Sequence, residues 1–442
     1  MKHLSGALAA LFISALANAA PYAYIANTGS NNVSVIDTAV DKVVATIPVG
    51  SDPTCVAVSR DGKKVYVTNV GSGTLSVIDG TTWNVVATVS VGVGPIAVAV
   101  DPFDHQVLVL NWASHDGTLI DAATNLVIGT VSFSNHVPTA VDYFLAPSSN
   151  YTAEEGHFVV GFADIKQSAQ VWGATAYFDT NYNYGAAQVG SVATWQGLYL
   201  MTSGVNDVVS MWSYTSFGEP WPEAGISVGQ QPSGIAITPN GDRVYVAVTG
   251  GNRVAMFNLS GAQNPSSATL TPVGSIPVGQ WPKGIATTPS GNKVYVVDSL
   301  SDSVSVIDAA SSTVVSTIGV GSLPSSTGRF IQAAHGFVPD PFAFAPVTLK
   351  PTLGKGVVNI ASNSAVVTGV DQPTHVTVVC PQNDPYGCDV SIDGGGWVPY
   401  AENVAAGQSV RVRLAKAPAP GTSQVATVYI GGRSADFKVT TK

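Results

Sequence analysis

Residues 53–92 read PTCVAVSRDGKKVYVTNVGSGTLSVIDGTTWNVVATVSVG. Four short segments of alternating hydrophobicity follow one another there: a Pro-led run (Pro53–Val58), a Tyr run (Val65–Asn69), a run ending in Val77-Ile78-Asp79, and a last run closing on Val91-Gly92. Period-2 alternation argues for half-buried strands, and no 3.6-residue apolar period competes with it. Asp61-Gly62 separates the first two runs, where glycine supplies the positive φ that a tight hairpin demands. Four such strands in about 40 residues make one blade of a β-propeller.

The pattern recurs. Tyr24-Ile25-Ala26-Asn27, Tyr66-Val67-Thr68-Asn69 and Leu108-Val109-Leu110-Asn111 are spaced by 42 residues, and the runs beginning at Tyr199, Tyr245 and Tyr295 are 46 and 50 apart. The interval of 91 from Leu108 to Tyr199 leaves room for one more unit, around Phe158-Val159-Val160, so seven units are expected. These residues resemble the YVTN-type β-propeller repeat proteins, whose repeat runs from a Pro-led strand through Asp-Gly-Lys-x-Val-Tyr-Val-Thr-Asn and Val-Ser-Val-Ile-Asp to a closing Val-Gly. The resemblance covers residues 22–334, with an irregular stretch between about 143 and 196. It implies a seven-bladed ring in an exported, often surface-associated bacterial protein, and no single activity.

Ring closure follows from strand order alone. The chain enters at a Tyr strand, so the first blade lacks its innermost strand. After the last outer strand comes Gly321-Ser322-Leu323-Pro324, the same lead-in as Gly50-Ser51-Asp52-Pro53, and Ser325–Ala333 is expected to supply the missing strand. The repeat stops near residue 335. Residues 336–346 read as a Pro-rich linker, and 347–442 as about seven short strands forming an immunoglobulin-like β-sandwich, similar to bacterial modules of that kind. The expected fold is therefore all-β: a seven-bladed β-propeller over 20–335 followed by an immunoglobulin-like β-sandwich.

Charge and leader bound the function classes. With 45% hydrophobic and 11% charged residues the chain is too apolar for disorder, and its 45 glycines and 27 prolines require many turns. Lys and Arg number 19, scattered singly against 28 acids, which leaves no basic stripe for a phosphate backbone, so no nucleic acid is expected. Residues 1–19 have a basic start, the apolar run Leu4–Leu16 and Ala17-Asn18-Ala19, a small-x-small cleavage pattern. That predicts an exported protein, periplasmic, cell-surface or secreted. No later run approaches the roughly 18 apolar residues of a membrane span. In an oxidising compartment Cys380 and Cys388 are expected to pair, and Cys55 to be a buried, inert thiol.

No haem-attachment, nucleophile-elbow, zinc-protease or phosphate-loop motif occurs. The aspartates ending the third strands (Asp37, Asp79, Asp121, Asp308) are expected to shape turns, as are Asn27, Asn69 and Asn111. Histidines 105, 115, 136, 157 and 335 are split between the two ends of the blades, so no metal site is expected, and Asp179–Asn183 departs from a calcium loop at Tyr184 and Gly190. Loops from all blades converge at one channel mouth, where the residues just before the Pro-led strands vary (Asp52, Gly94, Val137, Gln231, Trp281, Leu323). Trp112, His115, His136, Gln231 and Trp281 on that face are the expected ligand-binding residues, and the aromatic insertion between Trp172 and Trp195 is the second choice. No catalytic residue and no cofactor is assigned. The sequence reads as a monomeric, non-catalytic binding or cell-surface scaffold for a protein, glycan or small molecule. The alternative is a propeller enzyme, a lactonase, lyase or hydrolase, working at the channel mouth.

Overall fold

The structure is a computed structural model that describes residues 21–101, 105–145, 156–165, 168–172, 175–178, 189–195, 198–214, 220–261, 268–331, 343–349, 358–367, 374–379, 388–398, 400–404, 408–416, 423–430 and 433–441. The leader, the Asp179–Asn183 loop, Cys380 and His335 lie outside these residues. Among the described residues, six four-stranded antiparallel sheets and one three-stranded sheet succeed one another from residue 22 to residue 319. The three-stranded one is blade one (Tyr22–Asn27, Asn32–Asp37, Lys42–Pro48). The inner strands of blades two to seven are Pro53–Val58, Pro95–Val100, Pro138–Leu145, Val189–Trp195, Pro232–Ile237 and Pro282–Thr287.

The middle strands of each blade are buried on both faces, which is why the Tyr strands read as continuous apolar runs. Tyr24, Tyr66, Tyr245 and Tyr295 are among the largest fully buried side chains. At 0.8 kcal/mol per buried CH₂ group, such strands supply the hydrophobic term that a ring of short strands needs. The outermost strands carry exposed valines, Val43 and Val44 in blade one and Val85 and Val86 in blade two, as edge strands at the rim of the ring.

Every inner strand has a register irregularity directly after its first residue, for example between Pro53 and Val56, Pro232 and Ile235, and Pro282 and Ile285. A bulge re-aims side chains, and here it recurs in every complete blade at the same height of the ring.

The closing segment occupies the expected place with a different conformation. Ser325 N–H donates to Ala26 O at 2.9 Å and Tyr24 N–H to Phe330 O at 2.9 Å, while Val56 N–H and Val58 N–H on blade two donate to Thr327 O (3.0 Å) and Arg329 O (3.1 Å). Among the described residues, which in this segment end at Ile331, isolated bridges of Asn27 with Pro324 and Ala23 with Ile331 join it to blade one, and no regular strand forms over residues 325–331. Ser326 at φ 36 and Gly328 at φ 90 break the pleat. On the rim, Asp41 of blade one accepts from Lys293 Nζ at 2.8 Å and from the Tyr295 hydroxyl of blade seven, a second tie across the seam.

Beyond residue 343, one sheet orders Val347–Leu349, Arg433–Thr441, Ser423–Ile430, Thr374–Val379 and Tyr400–Val404, and a second is built on Ser409–Lys416, which pairs with Val358–Ala361, Ala365–Val366 and Cys388–Ile392. Val376, Val428 and Phe437 of the first sheet share one core with Val390, Val412 and Leu414 of the second. Phe344, which the sequence reading assigned to the linker, is buried in that core. Among the described residues no helix is long and apolar enough to cross a membrane.

Candidate functional site

The residues before the Pro-led strands share a backbone that their varied identities conceal. Asp52, Gln231, Trp281 and Leu323 all sit in the left-handed region, at φ 52, 54, 58 and 49. Each is stapled to the turn between strands two and three of the preceding blade: Asp52 N–H donates to Asn31 Oδ1 at 2.9 Å, Gln231 N–H to Asp207 at 2.8 Å, Trp281 N–H to Asn252 at 2.9 Å and Leu323 N–H to Asp302 at 2.8 Å. A bulky residue at positive φ is strained by order 1 kcal/mol and persists only where its surroundings hold it.

Two of these lead-ins, Gln231 and Trp281, border a cavity of about 430 Å³ at the mouth of the ring, within the size range of small-molecule sites. Gln231 and Trp281 line it, together with Thr139 of blade four, Ser233 and Thr249 of blade six, Lys283 of blade seven and Thr327 of the closing segment. Trp281 is 40% exposed. Among the described residues Lys283 is the one ionisable side chain of the lining, and burial pushes its ammonium pKa down.

Most of the lining hydroxyls are committed to the scaffold. Thr139 Oγ1 donates to Val189 O at 2.7 Å, Thr249 Oγ1 to Pro282 O at 2.7 Å, and Ser233 Oγ lies 3.1 Å from both Pro282 O and Lys283 O. These bonds join blade four to blade five and blade six to blade seven near the start of the inner strands. By contrast, the Lys283 ammonium, the Trp281 indole and the Gln231 amide have no side-chain hydrogen-bond partner among the described residues. The far end of the inner strands is crossed by Arg329, whose Nη2 donates to Asp142 Oδ2 at 2.8 Å and to Thr194 Oγ1 at 2.9 Å on blades four and five.

The other expected ligand residues do not line this cavity. Trp112 is 45% exposed on the same face and lies over Gly94, where an added Cβ would come within 2.4 Å of its Nε1. That contact gives Gly94 a reason to be glycine. His115 occupies the left-handed turn position at φ 56, and its carbonyl accepts from Phe133 N–H at 3.2 Å. His136 is held by Asp164, Nδ1 to Oδ2 at 3.0 Å, while Asp164 Oδ1 accepts from Val137 N–H, and these hydrogen bonds hold the Asp164 carboxyl below its usual range. In the second-choice region Trp195 donates to Pro239 O at 3.2 Å, binding its own blade to the next, and nothing is described of the Trp172 side chain.

Lys283 was missed by sequence reading, which compared lead-in positions and stopped one residue too early. The residue following each strand's proline reads Thr54, Ile96, Thr139, Ser233, Lys283. The single charged residue in that series was the available signal.

The turn aspartates are as expected: Asp79 Oδ1 accepts from Thr81 and Thr82 N–H at 2.9 and 2.7 Å, and Asp308 from Ser311 N–H at 2.7 Å, which lowers both carboxyls. The asparagines differ from the expected turn role. Asn27, Asn69 and Asn111 are fully buried and donate from Nδ2 to Ser34, Ser76 and Thr118 on the neighbouring strand at 2.9, 2.9 and 3.0 Å. Cys55 is free and buried, its thiol pKa raised by burial. His157 is a buried histidine pushed down to about 4 by desolvation. Among the described residues no group of three His, Cys, Asp or Glu is placed to hold a metal.

Known proteins bear on this geometry through the fold. Residues 3–132 match the family model described as a YNCE-like beta-propeller, and residues 213–318 match that of the lactonase, 7-bladed beta-propeller. No curated protein matches the chain. Among solved structures, a functionally unknown protein from Desulfotomaculum acetoxidans is 15% identical with a TM-score of 0.58, over 70% of this chain and 99% of its own. Hydrazine synthase from Kuenenia stuttgartiensis is 17% identical with a TM-score of 0.54, over 65% and 92%. A putative 6-phosphogluconolactonase from Bacteroides uniformis is 16% identical with a TM-score of 0.55, over 69% and 98%. At these identities the likeness is one of fold, and the chain is a β-propeller protein.

Proposed function

We propose that this chain is an exported, non-catalytic binding protein whose rigid ring presents a ligand site at the channel mouth. The observation that carries the reading is the chemistry of the cavity wall, where Lys283 is the charged group and, among the described residues, no carboxylate or imidazole lines it. Acid–base chemistry is served best by two titratable groups in complementary roles, and among the described residues this wall has one lysine beside committed hydroxyls, an indole and an amide, a set suited to recognition. The seven-bladed ring, of the YVTN repeat type, is the scaffold. The C-terminal pair of sheets is read as an immunoglobulin-like module, because nine described strands in two sheets enclose one core. Residues 1–19 are read as the export signal, the mature chain as a monomer, and Cys380–Cys388 as a disulfide in the oxidising compartment. Intact-mass measurement of alkylated protein before and after reduction counts that bridge.

A second reading has a specific observation in its favour. The lactonase-type match over residues 213–318 includes Gln231, Ser233, Trp281 and Lys283, the cavity wall contributed by blades six and seven. Incubating the full chain with neutral and charged sugar lactones decides between them. The binding reading expects saturable association without hydrolysis above the spontaneous rate. Turnover that disappears in Lys283→Met would establish the enzyme reading in its place.

A further inference from the structure

We propose that the mouth cavity is a receptor for a small anion, a carboxylate or a phosphate, whose charge is taken by Lys283 Nζ with the Trp281 indole and the Gln231 amide as neutral donors. The proposal rests on the mouth being the ligand site and adds the class of ligand.

Three features point the same way. The cavity wall holds one charge, positive, in a chain whose net charge is −9. Its free donors sit together: among the described residues Lys283, Trp281 and Gln231 keep their side-chain protons, whereas Thr139, Ser233 and Thr249 spend theirs on Val189 O and Pro282 O or Lys283 O and offer only oxygen lone pairs. A carboxylate or phosphate accepts from several donors at once, and charge-assisted hydrogen bonds from an ammonium are about twice as strong as neutral ones, so an anion gains from Lys283 what a neutral polyol does not.

The third feature is the treatment of the lysine itself. Lys283 lines the cavity together with Thr139 and Ser233, which also follow their strands' prolines, and no other residue at that position, Thr54 and Ile96 included, is charged. Desolvation lowers the Lys283 pKa with nothing nearby to offset it, which is a cost an anionic partner removes by restoring a countercharge. The Arg329–Asp142 pair crosses the opposite end, so the arginine's charge is already met and the lysine is the unmatched cation of the channel among the described residues. At about 430 Å³ the cavity has the size of small-molecule sites.

Calorimetric titration of the full chain with citrate, inorganic pyrophosphate and glycerol tests this. One equivalent of citrate or pyrophosphate is expected to bind, and glycerol not. Citrate alone would identify a carboxylate site, pyrophosphate alone a phosphate site. Lys283→Met should weaken the binding at least tenfold at an unchanged melting temperature, with Lys283→Arg recovering part of it. In wild type, the bound anion should also protect Lys283, and not exposed Lys63, from acetylation mapped by peptide mass. That arm needs no variant to fold. Absence of saturable binding of either anion at millimolar concentration, equal affinity in Lys283→Met, or unprotected Lys283 overturns the proposal. Lactone turnover with anion binding intact would instead sink the non-catalytic reading alone.

Discussion

Left-handed backbone at the channel mouth separates what the fold needs from what a ligand needs. Gln231 is exposed, sits at φ 54 and keeps its N–H on Asp207 whatever its side chain. Blade three meets the same backbone requirement with Gly94 at φ 70. Gln231→Gly should therefore relieve strain worth about 1 kcal/mol, partly offset by the greater freedom of glycine in the unfolded chain, and raise the melting temperature slightly. The same change removes a donor from the cavity and should weaken anion binding. Thermal unfolding and titration of one variant read both effects, and a destabilised Gln231→Gly would show that the left-handed position carries no strain. The variation of these residues was visible in the sequence, but the shared conformation was not. It depends on staples such as Asn252 to Trp281, 29 positions apart, which obey no local rule.

At the scale of the strand the blades compare with one another. Asn27, Asn69 and Asn111 end the Tyr strands of blades one to three, and blade seven places Asp298 there, fully buried beneath Gly279. Ser305 donates to it at 2.6 Å, yet burial dominates and moves its pKa from 3.8 up to about 6. The folded state thus holds a proton that the unfolded chain releases at lower pH. Stability contributed by the neutral acid is complete below about pH 4 and is lost as pH rises through 6, by at most about 3 kcal/mol. Asp298→Asn installs the group that three other blades use and abolishes that loss. It should be more stable than wild type at pH 7.5, by about 1–3 kcal/mol, with a flatter profile between pH 4 and 6. Equal denaturant midpoints at pH 7.5 would show that Asp298 is already neutralised there. The repeated element was legible because alternation and spacing carry it. The buried role of its asparagine was not, since Asn serves turns and cross-strand hydrogen bonds alike, and only the burial of both strands chooses between them.

For the whole molecule the question is how a ring of sheets becomes one cooperative unit. Strand bookkeeping predicted that the chain's far end completes blade one, because a missing inner strand and a repeated lead-in are both countable. It did not foresee the irregular path, which Gly328 sets at φ 90, where an added Cβ would lie 2.8 Å from Val56 O and 3.0 Å from Cys55 Sγ. Those atoms belong to blade two, and the segment's other side bonds blade one through Phe330 O. Gly328 is thus the point at which two blades and the closing segment meet. Gly328→Val combines a forbidden φ with a backbone clash and should cost about 2 kcal/mol or more. Gly319→Val is the control, nine residues earlier, at a site where an added Cβ meets nothing within 4 Å, and it should be close to neutral. Hydrogen exchange localises the damage: the amides of Tyr24, Val56 and Val58, which donate to Phe330, Thr327 and Arg329, should lose protection first. Because Thr327 lines the cavity and Arg329 crosses the channel below it, a seam loosened there should also weaken anion binding without touching Lys283. Wild-type melting and exchange in Gly328→Val would place the closure of the ring elsewhere, on the rim tie between Asp41 and Lys293.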